Sequence, residues 1–119
     1  MQKGNLSDKF NQFTDHWNPR IIAELNGQAV KIAKFSGEFT WHMHEHEDEM
    51  FMVINGSITI DLRDQSYVLN QGDYFVVPRG VEHRPRAEQE AEVLMFEPGS
   101  TLNTGGEKNE FTKEQLDKL

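Results

Sequence analysis

Between Arg20 and Phe96 the chain runs in short apolar stretches separated by turn-forming residues, and this pattern predicts its elements. Arg20 to Leu25 and Gln28 to Phe35 flank Asn26-Gly27, the signal of a two-residue type I′ hairpin. Met50 to Ile54 is the longest apolar run, and Asn55-Gly56 after it reads as a second hairpin signal. Ile58, Ile60 and Leu62 alternate with Thr59, Asp61 and Arg63, the period of a half-buried strand. Tyr67 to Leu69, Tyr74 to Val77 and Ala91 to Phe96 complete a series of short strands at close spacing. Such a series predicts an antiparallel sandwich or barrel. Helical signals are confined to the ends. Phe10, Phe13 and Trp17 recur at helical spacing over residues 5–17, with Asn5 or Ser7 as N-cap, and Asn18-Pro19 breaks the segment. At the other end, Pro98 to Gly106 is rich in turn formers. Beyond it, Thr112 and Gln115 have capping-box spacing, and Phe111 and Leu116 sit where a hydrophobic staple would pack. The expected organisation is one domain over 1–119: a helical segment at 5–17, a barrel over 20–97, and a tail with a short helix over 98–119.

Composition narrows the classes of function. At 119 residues the chain supports one core. Twelve basic against 20 acidic residues give a formal charge of −8, which repels phosphate backbones and argues against a nucleic-acid partner. The longest apolar run is far short of the ~20 residues that cross a bilayer. The first residues carry no hydrophobic region of the signal-peptide kind. There is no cysteine, which removes disulfides, thiolate nucleophiles and Cys-type zinc sites and makes a reducing cytoplasm the expected location.

Candidate chemistry is concentrated in Trp41-His42-Met43-His44-Glu45-His46-Glu47-Asp48-Glu49, which holds three of the five histidines. If Phe39 to His44 is a strand, His42 and His44 share a face, roughly 7 Å apart. If Glu45 to Asp48 is a four-residue hairpin loop, Glu49 lies opposite His44, with Cβ atoms about 5 Å apart. Two imidazoles and one carboxylate then converge where a metal ion could sit. A helical reading yields no His-Glu-x-x-His motif, because Asp48 stands where the second histidine is required. The competing reading is a solvated acidic turn, and these residues alone leave both open. His46 has the parity of His44, but falls within the turn and loses the opposed pairing with Glu49. His16 reads as a surface or packing histidine.

Downstream, Gly72-Asp73-Tyr74-Phe75-Val76-Val77-Pro78-Arg79-Gly80-Val81-Glu82-His83 reads as turn, strand, turn. Pro78 stops the pairing, and Pro78 and Gly80 suit the second and fourth positions of a type I turn. Taken together, the two stretches resemble the cupin superfamily. His42-x-His44-x4-Glu49-x6-Gly56, with Gly37 leading, is similar to its first motif, and Gly72-x5-Pro78-x-Gly80-x2-His83 to its second. The interval from Gly37 to His42 is one residue shorter than usual. The second motif often ends in Asn four residues after its histidine, where this chain has Ala87. The resemblance implies a small single-domain, conserved-barrel cupin: an all-β, antiparallel double-sheet jelly-roll barrel with short terminal helices. It also implies that His42, His44, Glu49 and His83 bind one divalent metal.

Three imidazoles and a carboxylate suit Fe, Mn, Ni, Co, Cu or Zn without choosing among them. Four protein ligands leave an octahedral ion two open positions, for a chelating oxygen pair or for a substrate and O₂. Strand parity sets Phe51 and Val53 on the face of Glu49, lining an apolar cavity. Phe39, Trp41, Met50, Met52 and Ile54 point the other way, an apolar outer face that suggests a homodimer. Arg79, Arg84 and Arg86 lie around His83. They read either as anchors for an anionic group or as solvated charges balancing an acidic surface. The expected function is that of a small metalloenzyme acting oxidatively on a small organic substrate, with Glu49 as its catalytic carboxylate. The alternatives are a sugar or sugar-phosphate isomerase or epimerase, and a non-catalytic small-molecule binder. Against isomerisation, the sequence places no lysine or spare carboxylate in the pocket as a base.

Overall fold

One long strand organises the sheet in the computed structural model, which describes residues 1–119. In chain order the elements are α1 (Leu6–Phe10), β1 (Arg20–Leu25), β2 (Gln28–Glu38), β3 (Glu49–Asn55), β4 (Ser57–Asp61), β5 (Ser66–Asn70), β6 (Tyr74–Val77) and β7 (Arg84–Pro98). β7 is paired on both edges. β2 follows one of them from Gln28↔Pro98 to Glu38↔Arg86. Along the other, β3 takes the C-terminal half and β4 the N-terminal end. β1 adds to β2, β6 to β3 and β5 to β4, every pair antiparallel. This is the all-β jelly-roll barrel that the sequence predicts, with less helix than expected.

The alternation in the sequence sets which side chains fill the barrel. On β3, Glu49, Phe51 and Val53 are buried, while Met50, Met52 and Ile54 face outward, half-buried. Odd-numbered Ala91, Val93 and Met95 of β7 meet Ala33 and Phe35 of β2 in the same core. A second, outer cluster forms where Phe10 and Phe13 pack on Ile32, against Ile54 and Leu94. The N-terminal segment thus covers part of the sheet's outer face.

Several expectations are corrected. The helix expected over 5–17 is a single turn, Leu6–Phe10, capped by the Asn5 side chain accepting the Asp8 N–H at 3.1 Å. Phe13 and Trp17 are buried all the same, from irregular chain: Trp17 has φ +59° and stacks on Phe35 and Phe39, with ring centroids at 4.3 and 4.8 Å. The C-terminal helix does not form. Thr112 Oγ1 shares a hydrogen bond with Thr104 Oγ1 and accepts the Asn109 N–H, and Phe111 turns inward against Phe39. The last residues run on to bridge Lys118 with Ile21 of β1. β7 is far longer than Ala91 to Phe96, because pairing on both edges carries the polar stretch Arg84 to Glu90 into the sheet. Asn26-Gly27 is the expected hairpin, with φ of +52° and +78°.

Asn55-Gly56 is not a hairpin. β3 and β4 lie end to end on one edge of β7, and Gly56 is the corner between them. Its φ is +88°, and a Cβ there would lie 3.2 Å from the Cα and Cβ of Ala91. Both the left-handed backbone and the contact oppose any side chain. Gly56→Ala should therefore cost about 1–3 kcal/mol in urea denaturation. A loss below about 0.5 kcal/mol, the range of an ordinary surface change, would contradict this reading of the corner.

Candidate metal centre

The segment from Phe39 to Asp48 is not a regular strand, so the hairpin expected to face His44 with Glu49 is absent. Glu49 instead opens β3 opposite Val77 of β6. The two motifs are joined to each other directly. His42 and His83 form an isolated antiparallel bridge, with N–H to carbonyl distances of 3.0 and 2.9 Å, and the Gly80 N–H donates to the His44 carbonyl at 2.8 Å. The turn after β6 begins at Pro78, whose carbonyl accepts the Val81 N–H, and Gly80 is its third residue, with φ +82°. That is the type II position requiring positive φ, not the type I geometry expected. Asp48 secures the turn from the other motif by accepting the Arg79 N–H at 2.8 Å.

This stitching gathers His42, His44, Glu49 and His83. One potential ligand atom from each lies within 4.8 Å of the others, and all four residues are buried. His46 is on the surface, its side chain 81% exposed beside Glu45, and His16, also exposed, pairs with Glu90 at 2.7 Å outside the cluster. Because the histidine segment is irregular, parity fails there. Phe39 turns into the core, contrary to expectation, and meets the His42 ring edge-on at 5.3 Å. Trp41 is covered by the guanidinium of Arg63 at 3.9 Å. The arginines around His83 are engaged: Arg79 with Asp48, Arg84 with Asp61 and Glu38, and Arg86 with Asp61.

Hydrogen bonding fixes which ring nitrogens face the centre. Nδ1 of His42 and Nδ1 of His83 each lie 2.9 Å from a backbone carbonyl, of Thr40 and Val81. A carbonyl only accepts, so both Nδ1 atoms carry the proton and both Nε2 lone pairs are free, the tautomer a metal-ligating histidine needs. Glu49 Oε1 lies 3.2 Å from His44 Nε2 and 3.4 Å from His83 Nε2. Yet Glu49 Oε1, His83 Nε2 and both ring nitrogens of His44 have no hydrogen-bond partner in the protein. Buried atoms in that condition each forfeit about 1–3 kcal/mol. A divalent cation would satisfy the converging ones together, so the residues present fit a metal of the N/O type. Burial, and the neighbouring His83, lower the His42 pKa to about 4, with Glu49 partly offsetting them. Burial alone would raise Glu49, but its contacts with His44, His83 and Glu97 hold it well below the usual carboxylate range.

The cupin domain family model matches residues 30–97. The chain belongs to the cupin family. A cupin-2 domain containing protein from Shewanella frigidimarina NCIMB 400 is 46% identical in sequence, with a TM-score of 0.78 over 79% of this cupin and 92% of that chain. Protein NMB1881 from Neisseria meningitidis is 28% identical, with a TM-score of 0.75 over 82% of this chain and all (100%) of that one. KdgF from Halomonas sp. is 27% identical, with a TM-score of 0.60 over 67% and 78% of the two chains. Among curated proteins, the uncharacterized protein YdbB of Bacillus subtilis (strain 168) is 40% identical over 67 residues, and the match spans 56% of this cupin and 59% of the relative.

Beside the four candidate ligands the cupin has a cavity of about 30 Å³, walled by Trp17, Phe35, Phe39, Phe51 and Met95. Its polar lining holds two residues that sequence reasoning missed, Lys31 and Glu97. Their parity was the available signal. Lys31 falls in step with Ala29, Ala33 and Phe35, and Glu97 with Ala91, Val93 and Met95, all buried. Outside the rim a cleft of about 560 Å³ lies between Trp41, Met43 and Glu82 on one side and Thr104, Gly106 and Glu107 on the other, and His42 lines both spaces. Gly105 brings the C-terminal segment hard against the Met43 backbone, where no Cβ would fit.

The depressed His42 pKa makes the metal-free protein sensitive to acid. Between the ordinary 6.5 and about 4, the unfolded chain binds more protons at this residue than the folded one does. The contribution is complete above 6.5 and is lost as pH falls through 4. In urea denaturation of metal-free protein at pH 7 and about pH 4.5, the wild type should lose on the order of 2 kcal/mol more than His42→Gln. Equal losses in the two proteins would contradict the burial of a neutral His42.

Proposed function

We propose that this cupin is a small metalloenzyme acting oxidatively, in the manner of a dioxygenase, on a small organic substrate. The observation that supports it is the convergence of three imidazoles and one carboxylate whose inward atoms lack protein partners, against an aromatic wall. His42, His44, Glu49 and His83 would hold the ion. When bound, a divalent transition metal would supply Lewis acidity, a template for a chelating substrate and, if redox-active, a path for electrons to dioxygen.

The chain's own residues do the rest. The Thr40 and Val81 carbonyls orient the His42 and His83 rings and keep their Nε2 atoms unprotonated. Phe35, Phe39 and Phe51 wall the inner side of the centre and make it apolar. A volume of about 30 Å³ admits little more than a water molecule. Substrate therefore approaches from the outer cleft, which His42 also lines. Isomerisation is the second reading: Lys31 and Glu97 add a lysine and a second carboxylate to the inner cavity, although they pair with each other at 2.9 Å.

The test begins with protein purified without an affinity tag, reconstituted anaerobically with Fe(II) and screened for oxygen uptake with catechols, hydroxy acids and other small chelating compounds. Uptake that a chelator abolishes is expected. Glu49→Gln should lower it by at least about tenfold, the loss that even outer-shell changes produce at metal sites, with the circular dichroism spectrum unchanged. Turnover without oxygen consumption would favour isomerisation. Full activity in metal-free protein would sink both readings.

A further inference from the structure

After Pro98 the chain leaves the sheet, crosses the rim of the candidate centre and rejoins β1 only at its last residues. Both feet of this crossing are fixed. The Gly99 N–H donates to the Gly27 carbonyl at 2.9 Å, and the Thr101 carbonyl accepts from Lys31 Nζ at 3.2 Å. At the far end the Ile21 N–H donates to the Asp117 carbonyl and the Ile21 carbonyl accepts the Leu119 N–H, both at 2.9 Å.

Between the feet the segment is tied to itself. Asn103 accepts the Lys113 N–H and donates to the Phe111 carbonyl, each at 2.9 Å. The Thr104 and Thr112 hydroxyls share a hydrogen bond, and Lys108 pairs with Glu114. The backbone bonds, Gly105 N–H to Leu102 and Thr112 N–H to Asn109, are internal too. From residues 102–116 one hydrogen bond reaches the rest of the protein, Asn109 Nδ2 to Thr40 Oγ1 at 3.3 Å. The remaining hold is packing: Phe111 on Phe39, Thr104 with no exposed surface, and Gly105 against the Met43 backbone. A compact loop with fixed ends, internal bonds and so few outward ones opens as a unit, far more readily than the sheet unfolds.

This loop faces both spaces beside His42. Asn103 lines the inner cavity of about 30 Å³, while Thr104, Gly106 and Glu107 line the outer cleft of about 560 Å³. The inner cavity holds little more than a water molecule, so no organic substrate enters it while the loop is seated. We propose that residues 102–116 are a lid whose lifting joins cavity and cleft into one substrate site, with Gly105 as its latch. Gly105 has φ +70°, and a Cβ there would overlap the Met43 carbonyl oxygen. Any side chain at 105 therefore holds the lid off its seat. The inference rests on the reading above only in that a small molecule must reach a metal centre, and not on which reaction follows.

The chain has no cysteine, so single introduced thiols report the opening. Thr104 on the lid and Val93 in the barrel are both 0% exposed. In metal-free protein, a thiol reagent should label Thr104→Cys at least about tenfold faster than Val93→Cys, the mark of a minor open state rather than global unfolding. Adding Gly105→Ala to Thr104→Cys should raise its rate by roughly tenfold more, whereas Glu110→Ala, an exposed change on the same loop, should not. The second readout is catechol capture by the Co(II)-loaded protein, followed through the cobalt visible bands. Gly105→Ala should speed capture, with Glu110→Ala at the wild-type rate. Thr104→Cys labelling as slow as Val93→Cys would overturn the lid and leave the metal reading standing. Faster labelling in Gly105→Ala without faster catechol capture would overturn its role as a gate. A wild type that takes up no Co(II) would overturn the metal reading and the gate with it, whatever the labelling shows.

Discussion

The structure turns on a cluster of ligand-capable atoms held in a dry place without hydrogen bonds. Oε1 of Glu49 and the free Nε2 atoms of His44 and His83 face one another with nothing in the protein to satisfy them. A chain folding for stability alone would not gather three imidazoles and a carboxylate there, since each orphaned atom forfeits a hydrogen bond it had in water. Apolar side chains of similar volume would be better tolerated. The cluster is tolerated because the barrel around it is strongly determined.

The determination comes from β7. Pairing on both of its edges fixes β2, β3 and β4 relative to one another, and so fixes Glu49 at the head of β3. The histidines are located differently. His42 and His44 sit on irregular chain tied by backbone bonds to His83 and Gly80, while His83 immediately precedes β7. The site is therefore a seam between two motifs, with the rigid strand on one side and an irregular segment on the other. The C-terminal segment lies across that seam. Thr104 is fully buried and Phe111 packs on Phe39, so residues beyond the barrel help close the rim above His42.

Much of this was legible from the residues, though not always for the expected reason. Alternation in Glu49 to Ile54 correctly gave the inward set, and Asn26-Gly27 gave its hairpin, because in both cases local geometry agrees with the fold. Glu49 and His44 do come together, but through the His42–His83 bridge and not through a hairpin. Strand parity consequently misplaced Phe39, which lies inside. The spacing of Phe10, Phe13 and Trp17 identified three buried aromatics and the wrong backbone: burial selects the side chains, while Trp17 reaches the core with a left-handed φ that no helix contains. The polar first half of β7 carried no hydrophobic signal, since both neighbouring strands hold it through main-chain bonds. Lys31 and Glu97 were hidden by their charge. A lysine and a glutamate on inward positions look like exceptions to a strand pattern until the pair is seen to meet in a buried ion pair.

The central claim is that three imidazoles and Glu49 share one divalent ion. X-ray absorption at the cobalt edge of the Co(II)-loaded protein addresses it directly, because imidazole rings give scattering that carboxylates and water do not. The account predicts three histidine rings around the ion in the wild type and two in His83→Ala, with His46→Ala unchanged from the wild type. A wild-type shell without imidazole, or one in which His46→Ala loses a ring and His83→Ala does not, would contradict it.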